Sequence, residues 1–230
     1  MRIIYVRHGN PSYNPDCLTK RGHYEAQLTA NYLKNKHIDL IISSTSNRAY
    51  QTGEYTAKEY NLPIKKIDWL HEEIAFKYAK DNSANPTWYF FNPVYSKAIK
   101  ECKQKKTWYN HLIFKETRLR EGELFIANKL DELLFSYNIK HDRKNKKYYK
   151  LGKTPKCICI FAHGGIGTFV IPSLLDQNLM TYVNKENFIL KTCGIVEFSI
   201  NLTSTHKIKI RKFNHIKYSE DKSSTIPLSI

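Results

Sequence analysis

The chain has 230 residues, of which 41% are hydrophobic and 25% are charged. This length fits one domain, or one domain with a sizeable insertion, because a single hydrophobic core commonly spans it. No apolar run approaches the roughly 18 residues that a membrane span requires. Arg7 and His8 also stand where a secretory signal would carry small residues for cleavage. The sequence therefore argues against a membrane protein and a secreted one, and we expect a cytoplasmic protein.

The formal net charge is +16, from 37 lysines and arginines against 21 aspartates and glutamates. A field of that sign favours anionic partners, and phosphate groups and nucleic acids both fit it. Much of the excess lies in the run 140–147, which predicts a solvated basic loop over 139–153. The five cysteines are odd in number and form no CxxC pair, which indicates reduced thiols in a cytosolic protein.

The first third of the chain has the pattern of strands that alternate with helices. Short apolar runs indicate buried strands, and apolar residues at helical spacing indicate amphipathic helices between them. The predicted elements are a strand over 2–6, a helix over 20–36 with Thr19 as its N-cap, a strand over 39–42, a helix over 47–59 and a strand over 64–67.

Residues 74–121 lose this periodicity and become aromatic and polar. The aromatic residues that stand out are Trp88, Tyr89, Phe90, Phe91, Trp108 and Tyr109. A stretch of this kind inside an otherwise regular domain is typical of an insertion. We interpret 74–121 as a mid-chain cap that is inserted into the domain.

The last half of the chain resumes the alternating pattern. The predicted elements are a helix over 123–137, a strand over 156–162, a helix over 168–175 and two late strands over 193–200 and 205–213. Strands that alternate with helices indicate a parallel sheet covered on both faces. The sequence therefore predicts one domain over 1–230, an α/β fold built as a three-layer α/β/α sandwich with a mostly parallel central sheet.

Polar residues follow three of the predicted strands at the point where each strand ends. Arg7 and His8 follow the first strand, and Arg48 lies shortly after the second. His163 and Gly164 follow a later one. In open α/β sheets, ligands bind beyond the carboxyl ends of the strands, so we expect these residues to converge. Two histidines, two arginines and a glycine-rich turn at one edge predict an anion-binding site.

These residues stand in five motifs that resemble the patterns of the histidine phosphatase superfamily, the phosphoglycerate mutase-like group. The motifs are Arg7-His8-Gly9-Asn10-Pro11 with Asn14 after it, Leu18-Thr19 with Gly22, Ser43-Ser44-x-x-x-Arg48-Ala49-x-Gln51-Thr52, Leu70-His71-Glu72, and Ala162-His163-Gly164-Gly165. The third motif is nearly intact. The second continues with Ala26-Gln27 where the family has Gln-Ala, and Glu73 follows Glu72 where the family usually has glycine.

The resemblance implies a phosphomonoester hydrolase in which His8 attacks phosphorus and forms a phosphohistidine. It also implies which residues contact the substrate. Arg7, Arg48, His163 and Asn14 would hold the phosphoryl oxygens, with Gly164 beside them, and Glu72 would serve as the acid and base, with Glu73 as its rival. Because the phosphoryl contacts are the same for every monoester, we expect the cap to determine substrate choice.

Physical chemistry supports these roles separately from the resemblance. Nearby cations disfavour protonation of an imidazole, so Arg7 and Arg48 would keep His8 available as a nucleophile. Guanidinium groups match the equatorial oxygens of a phosphoryl group in transfer. The leaving alkoxide needs a proton and the phosphohistidine then needs an activated water, and one carboxyl group can supply both.

The sequence leaves several alternatives open. Because no histidine pair has HxxxH or HExxH spacing, we expect metal-independent catalysis without a cofactor. A phosphoglycerate-type mutase remains an alternative to the phosphatase, and a non-catalytic protein that binds a phospho-ligand or nucleic acid remains a third. We expect a phosphorylated small molecule or phosphopeptide as partner rather than nucleic acid, since no nucleic-acid-binding module is evident. The oligomeric state stays open.

Overall fold

A computed structural model describes residues 1–80, 89–185, 188–200 and 202, together with the backbone of 209–213. Within these residues, ten strands form one sheet of six strands and two hairpins. The strands are β1 (Arg2–Arg7), β2 (Pro11–Tyr13), β3 (Asp16–Leu18), β4 (Leu40–Ser44), β5 (Ile64–Ile67), β6 (Ile139–Asp142), β7 (Lys147–Lys150), β8 (Cys157–Ala162), β9 (Ile195–Ser199) and β10 (Lys209–Phe213). Trp88 and residues 205–208 of the last predicted strand lie outside the described residues.

Seven α-helices accompany these strands in the same part of the chain. They are α1 (Lys20–Leu33), α2 (Asn47–Tyr60), α3 (Glu72–Ala79), α4 (Pro93–Cys102), α5 (Leu119–Phe135), α6 (Gly164–Leu174) and α7 (Leu179–Val183). The predicted N-cap is confirmed, since the Thr19 hydroxyl accepts a hydrogen bond from the Gly22 amide at 3.1 Å. None of the described helices is long and apolar enough to span a membrane.

The six-stranded sheet has the strand order β10-β9-β1-β8-β4-β5. The pairs β1–β8, β8–β4 and β4–β5 are parallel, and β9 is antiparallel to both of its neighbours. Strands β1, β8 and β4 are therefore the parallel centre of the sheet. The prediction of a mostly parallel central sheet is confirmed.

Both faces of the sheet are buried, and alternate residues of each central strand point to opposite sides. In β1, Ile3 and Tyr5 belong to one apolar cluster, whereas Ile4 and Val6 belong to the other. The first cluster includes residues from α3 to α7, and the second includes residues of α1 and α2. This alternation is the side-chain period of a strand covered on both faces. The predicted three-layer sandwich is confirmed.

The middle of the chain is more regular than the sequence suggested. The prediction that 74–121 lacks periodic structure is wrong, because α3, α4 and three-residue 3₁₀ turns at Tyr89–Phe91 and Trp108–Asn110 fill much of it. Asn92 accepts a hydrogen bond from the Val94 amide and Pro93 opens α4, which are ordinary helix-start signals. Tyr89, Phe90 and Trp108 are buried in the larger apolar cluster. Aromatic residues on short helices hid the amphipathic pattern.

Two further predictions from the sequence are wrong. The basic stretch 139–153 contains the antiparallel hairpin β6–β7, whose register pairs Ile139 with Lys150. Tyr148 of β7 is buried between more exposed neighbours, which is the alternation of a half-buried strand. The lysines around it belong to this strand pattern and do not mark a solvated loop. Helix α6 begins at Gly164, four residues before the predicted start at Thr168. The glycines after His163 are its first turn.

A partly buried ionic cluster, here called the His141 cluster, attaches this hairpin to the body of the domain. His141 Nδ1 lies 2.8 Å from Asp131 of α5, and His141 Nε2 lies 3.0 Å from Asp176 beyond α6. Arg143 donates to both carboxylate oxygens of Asp131 at 2.6 and 2.8 Å. Burial alone would lower the pKa of His141, but its bonds to Asp131 and Asp176 outweigh burial and raise the pKa above its usual value.

We predict that His141→Gln destabilises the protein more at low pH than at high pH. A group whose pKa is raised by folding stabilises the fold fully below its unfolded pKa, about 6.5 for histidine. That stabilisation disappears as the pH rises through the folded pKa. Urea unfolding should show a loss of about 1–3 kcal/mol at pH 6 and a smaller loss at pH 9.

The exposed pair of His37 and Asp39 provides the control, since its histidine side chain is 55% exposed. His37→Gln should change the free energy of unfolding by less than about 1 kcal/mol at either pH. A loss at His141 that is the same at both pH values would contradict the charged state of this residue.

Candidate active site

Strand register places the ends of three strands beside one another at one edge of the sheet. Arg7 of β1 pairs with Ala162 of β8, and Ser43 of β4 pairs with Phe161. The backbone amide of His8 donates to the Ala162 carbonyl at 2.9 Å. The residues that follow β1 and β8 are therefore neighbours in space although they are far apart in the sequence.

His8 is buried, with 3% of its surface exposed, and its ring orientation is defined. Its Nδ1 lies 2.8 Å from the carbonyl oxygen of Gly9. A carbonyl only accepts, so Nδ1 carries the proton and Nε2 keeps its lone pair in the neutral ring. Burial, with Arg7 and Arg48 nearby, lowers the pKa of His8 to about 3, although the bond to Gly9 opposes the shift. His8 is neutral at pH 7.

His163 is fully buried, and its ring lies 5.0 Å from the His8 ring in an edge-to-face arrangement. Its Nε2 lies 2.9 Å from the Ser44 hydroxyl oxygen, and this oxygen accepts from the Ser46 amide at 3.2 Å. Because the hydroxyl proton needs an acceptor of its own, we assign it to the bond with Nε2, so Nδ1 carries the ring proton. Burial, followed by His8 and the arginines, lowers the pKa of His163 well below its usual value.

Both arginines are anchored through one nitrogen and leave another without a partner. Arg7 Nη1 donates to the Leu190 carbonyl at 2.6 Å, and Arg48 Nη1 donates to Asp16 at 2.6 Å. The Nε atoms of Arg7 and Arg48 and the Nδ1 atom of His163 are three of only five buried side-chain polar atoms without a hydrogen-bond partner in the described part of the chain. Buried donors normally have acceptors. Three unpartnered donors in one cationic region indicate a site for an anion with several oxygens.

Glu72 lies at the first turn of α6, against the backbone that follows His163. Its two carboxylate oxygens accept from the amides of Gly165 and Ile166 at 3.0 and 3.1 Å. Burial raises the pKa of Glu72 against the opposing effect of these amides and of the arginines. Glu73 is different, because its side chain is 84% exposed. The structure therefore separates the two candidate acids by their surroundings.

Motif positions on α2 hold the neighbouring loops in place. The Thr52 hydroxyl accepts from the Gly9 amide at 3.0 Å, and Gln51 accepts from the Leu18 amide at 2.7 Å. A Cβ atom on Gly9 would lie 2.6 Å from the Gly22 carbonyl oxygen, so the close approach of these loops needs glycine. These contacts explain why the motifs contain the Gln51-Thr52 pair and glycine at positions 9 and 22.

The structure brings together Arg7, His8, Arg48, Glu72 and His163, which we call the histidine–arginine cluster. Each arginine contributes to the pKa shifts of His8, Glu72 and His163. Gly164 lies against Arg7, since a Cβ atom there would be 3.3 Å from the Arg7 guanidinium carbon. Asn14 is not part of this buried group, because it is exposed in the turn between β2 and β3.

The sequence analysis missed two residues at this site. His71 lies with its ring 5.9 Å from the His163 ring, and its position directly before Glu72 is the signal that could have revealed it. Asp16 binds Arg48, and no local pattern marks it. Across the described residues, no group of three or more His, Cys, Asp or Glu side chains is placed to hold a metal ion.

Comparison with known proteins agrees with this geometry. Residues 3–81 match the model of the histidine phosphatase superfamily, branch 1. The matched segment contains Arg7, His8, Arg48 and Glu72, and the structure adds His163 beside them. The first third of the chain is therefore similar to the histidine phosphatase superfamily.

One curated relative and two solved structures that resemble this chain are phosphatases by name. Phosphoserine phosphatase 1 of Hydrogenobacter thermophilus is 32% identical over 102 residues, which cover 35% of this chain and 48% of that protein, about half its length. The Entamoeba histolytica phosphoserine phosphatase, solved in complex with 3-phosphoglyceric acid, has a TM-score of 0.58 at 19% identity and covers 94% of this chain and 98% of its own. The mycobacterial glucosyl-3-phosphoglycerate phosphatase, in complex with VO3, has a TM-score of 0.59 at 16% identity and covers 93% and 98%. These structural likenesses support the histidine phosphatase fold.

We predict that Gly164→Ala weakens anion binding while the protein stays folded. The added Cβ would lie 2.8 Å from Ile189, which must shift, and 3.3 Å from the Arg7 guanidinium, which must give by a few tenths of an ångström. Affinity for inorganic phosphate, measured by calorimetry, should fall by about 10-fold or more, since small displacements of binding groups are costly. Gly152→Ala is the matched control, because its Cβ meets only the Asn138 side chain, at 3.3 Å or more. Equal phosphate affinity in the two variants would contradict the placement of Arg7 at the anion site.

Proposed function

We propose that this chain is a phosphomonoester hydrolase, a histidine phosphatase that acts through a phosphohistidine on Nε2 of His8. One observation carries the proposal. The imidazole of His8 has its lone pair assigned to Nε2, and the unpartnered buried donors of Arg7, Arg48 and His163 belong to the same cluster. A nucleophile surrounded by donors without acceptors suits transfer of a group that brings its own oxygens, and a phosphoryl group does so.

In the first half-reaction, His8 Nε2 attacks the phosphorus of the monoester. The N–P bond forms as the bond between phosphorus and the ester oxygen breaks, and the leaving oxygen takes a proton from Glu72. The phosphoryl charge spreads over three equatorial oxygens, for which Arg7, Arg48 and His163 supply donors. The proton on His8 Nδ1 stays on its bond to Gly9, so the ring becomes cationic with that charge next to a carbonyl oxygen.

In the second half-reaction, water attacks the phosphohistidine and Glu72, now ionised, takes a proton from it. The N–P bond breaks, inorganic phosphate leaves and Glu72 recovers its acid form. A raised pKa suits this double role, because the group must exist in both forms near neutral pH. The amides of Gly165 and Ile166 hold the carboxylate in place when it is charged.

The protein's own cations supply the charge that a metal ion supplies in other phosphatases. Arg7 and Arg48 each offer an unpartnered Nε–H among the described residues, and the planar guanidinium group matches the geometry of phosphoryl oxygens. We therefore propose metal-independent catalysis without a cofactor. Turnover should therefore persist in excess EDTA, which is the assay condition used for the variants below.

We propose that the substrate is the phosphomonoester of a small molecule. The relatives named above act, by their names, on phosphoserine and on glucosyl-3-phosphoglycerate, which are monoesters of this kind. Phe188, Ile189 and Leu190 connect the cluster to 74–121, since Leu190 anchors Arg7 and Phe188 stacks on Phe91 with ring centroids 5.5 Å apart. We propose that 74–121 acts as the cap and that the leaving group of the substrate contacts residues of this cap. A small phosphopeptide is the second substrate class, and a substrate panel for turnover assays should include both classes.

Two other functions give different results in the same assays. A phosphoglycerate-type mutase would retain its phosphohistidine and return the group to a hydroxyl acceptor instead of water. A non-catalytic binder of phospho-ligands would bind phosphate without turnover. A cytoplasmic location belongs to the proposal, because all five cysteines are free thiols.

We predict that His8→Ala abolishes turnover of p-nitrophenyl phosphate and of the substrate panel in excess EDTA. Removing a nucleophile that acts together with its neighbours costs about 10³-fold or more in kcat. The acid-labile phosphoenzyme, trapped by rapid quench with ³²P-labelled substrate, should disappear as well. His37→Ala is the control, since His37 is an exposed histidine. Turnover near the wild-type rate in His8→Ala would rule out the phosphohistidine route.

We predict that Glu72→Gln lowers kcat by about 10²–10⁴-fold, the usual contribution of a general acid, whereas Glu73→Gln stays within about 2-fold of wild type. The pH dependence has a definite sign. Because Glu72 must be protonated to donate, and burial raises its pKa, kcat/KM should fall as the pH rises through that pKa. His8 should impose no acid limb above pH 4, since its pKa is lowered to about 3. A large loss of kcat in Glu73→Gln with none in Glu72→Gln would show that Glu73, and not Glu72, is the acid.

A further inference from the structure

The β2–β3 hairpin lies over the start of α2 and is attached to it at two places. Gln51 of α2 accepts from the Leu18 amide at the end of the hairpin. Asp16 contacts the first turn of α2 with both carboxylate oxygens. In addition, the ring of Tyr13 lies 5.3 Å from the guanidinium carbon of Arg48. The hairpin therefore surrounds Arg48 with an anion and an aromatic face.

The contacts of Asp16 define the orientation of Arg48. Oδ1 accepts from Arg48 Nη1 at 2.6 Å, and Oδ2 accepts from the Asn47 amide at 2.8 Å. The carboxylate is itself held by the backbone, so the guanidinium plane has a defined direction. Arg48 Nε stays buried and without a partner among the described residues. Asp16 therefore binds one edge of the Arg48 guanidinium, and the Nε edge stays available to a ligand.

Arg7 is built in the same way. Its Nη1 is taken by the Leu190 carbonyl, and its Nε is likewise buried and unpartnered within the residues that the structure covers. In one arginine the anchor is a backbone oxygen, and in the other it is the side chain of Asp16. The shared arrangement indicates that the anchors orient both guanidinium groups toward the same ligand.

We propose that Asp16 is a positioning residue, which holds Arg48 by Nη1 so that its Nε edge faces the transferring phosphoryl group. The proposal rests on the proposed function for the identity of the ligand. Asp16 does not touch the substrate in this arrangement and acts only through Arg48. Without the Asp16 carboxylate, the long Arg48 side chain is free to move. Anion binding must then order that side chain, and the entropy cost lowers the affinity.

The opposite role for Asp16 is a carboxylate that occupies the anion site and competes with phosphate. The two roles differ in the sign of one measurement. A competitor would leave phosphate bound more tightly when it is removed, whereas an anchor would leave phosphate bound more weakly. The unpartnered Nε of Arg48 favours the anchor, because a competing carboxylate would have taken that donor as well.

The test is calorimetric titration of inorganic phosphate into the wild type, Asp16→Ala, Asp16→Asn, Arg48→Ala and the double variant Asp16→Ala/Arg48→Ala. We expect Asp16→Ala to weaken phosphate binding by about 10–100-fold, the scale of a misplaced binding group. Asp16→Asn should recover part of the loss, since its amide oxygen accepts from Nη1. In the Arg48→Ala background, Asp16→Ala should have no further effect. Asp142→Ala, at the end of β6 in the other hairpin, is the matched control and should bind as the wild type does.

Kinetics on the same variants separate positioning from general damage. Asp16→Ala should raise KM and lower kcat together, with the partial recovery in Asp16→Asn, while circular dichroism shows a folded protein. If Asp16→Ala does not fold, the isosteric Asp16→Asn and its combination with Arg48→Ala give the same comparison. Phosphate binding that is unchanged or tighter in the Asp16 variants overturns the proposal.

The binding measurement also distinguishes this proposal from the proposed function. It needs no turnover, so a wild type that binds phosphate and hydrolyses nothing would contradict the hydrolase alone. In that case the Asp16 series still decides the role of the carboxylate. A wild type that binds no phosphate would contradict both.

Discussion

The parallel register of β1, β8 and β4 is the constraint on which the site depends. Arg7 stands opposite Ala162, and the His8 amide bonds to the Ala162 carbonyl, so the residues after the two strands begin at the same height. Ser44, at the end of β4, then reaches His163. A shift of one residue in either pairing would turn His8 or Ser44 to the other face of the sheet, because strand side chains alternate. The strands are buried on both faces, which holds the register.

The site that this register assembles is costly to the fold. Three buried donors lack partners in the described residues, and two imidazoles lie close to two guanidinium groups. A buried donor without an acceptor costs about 1–3 kcal/mol, so donors of this kind work against folding wherever they remain unpaired. The extensive apolar clusters on both faces of the sheet offset it. This is the usual relation between a functional site and the remainder of a stable domain.

Electrostatics assigns different protonation states to neighbouring groups. Burial and cations together lower the pKa of His8 and of His163, which keeps both rings neutral. For Glu72 the two influences oppose each other, and burial is the larger. A neutral imidazole and a carboxyl group with a raised pKa thus lie in one cluster, and the pairing of such groups with separated pKa values is what acid–base chemistry needs.

The amino-acid sequence by itself determined the fold class and most of the site. Alternating apolar strands and helices predicted the three-layer sandwich, and the motifs around His8, Arg48, Glu72 and His163 identified residues that the structure places in one cluster. These signals are local, since each motif follows directly on the strand or turn that carries it. The predicted irregularity of 74–121 and the predicted loop over 139–153 failed for the same kind of reason, because aromatic residues and lysines obscured short amphipathic elements.

Only the tertiary structure decided what depends on contacts between distant segments. Burial distinguishes Glu72 from Glu73, and this depends on the first turn of α6, some ninety residues away. The exposure of Asn14 and the bond between Asp16 and Arg48 depend on how the β2–β3 hairpin lies on α2. The approach of His71 to His163 likewise brings the start of α3 beside the start of α6. Dielectric surroundings, hydrogen-bond partners and ring contacts are properties of the packed chain, so neither composition nor local pattern encodes them in a readable form.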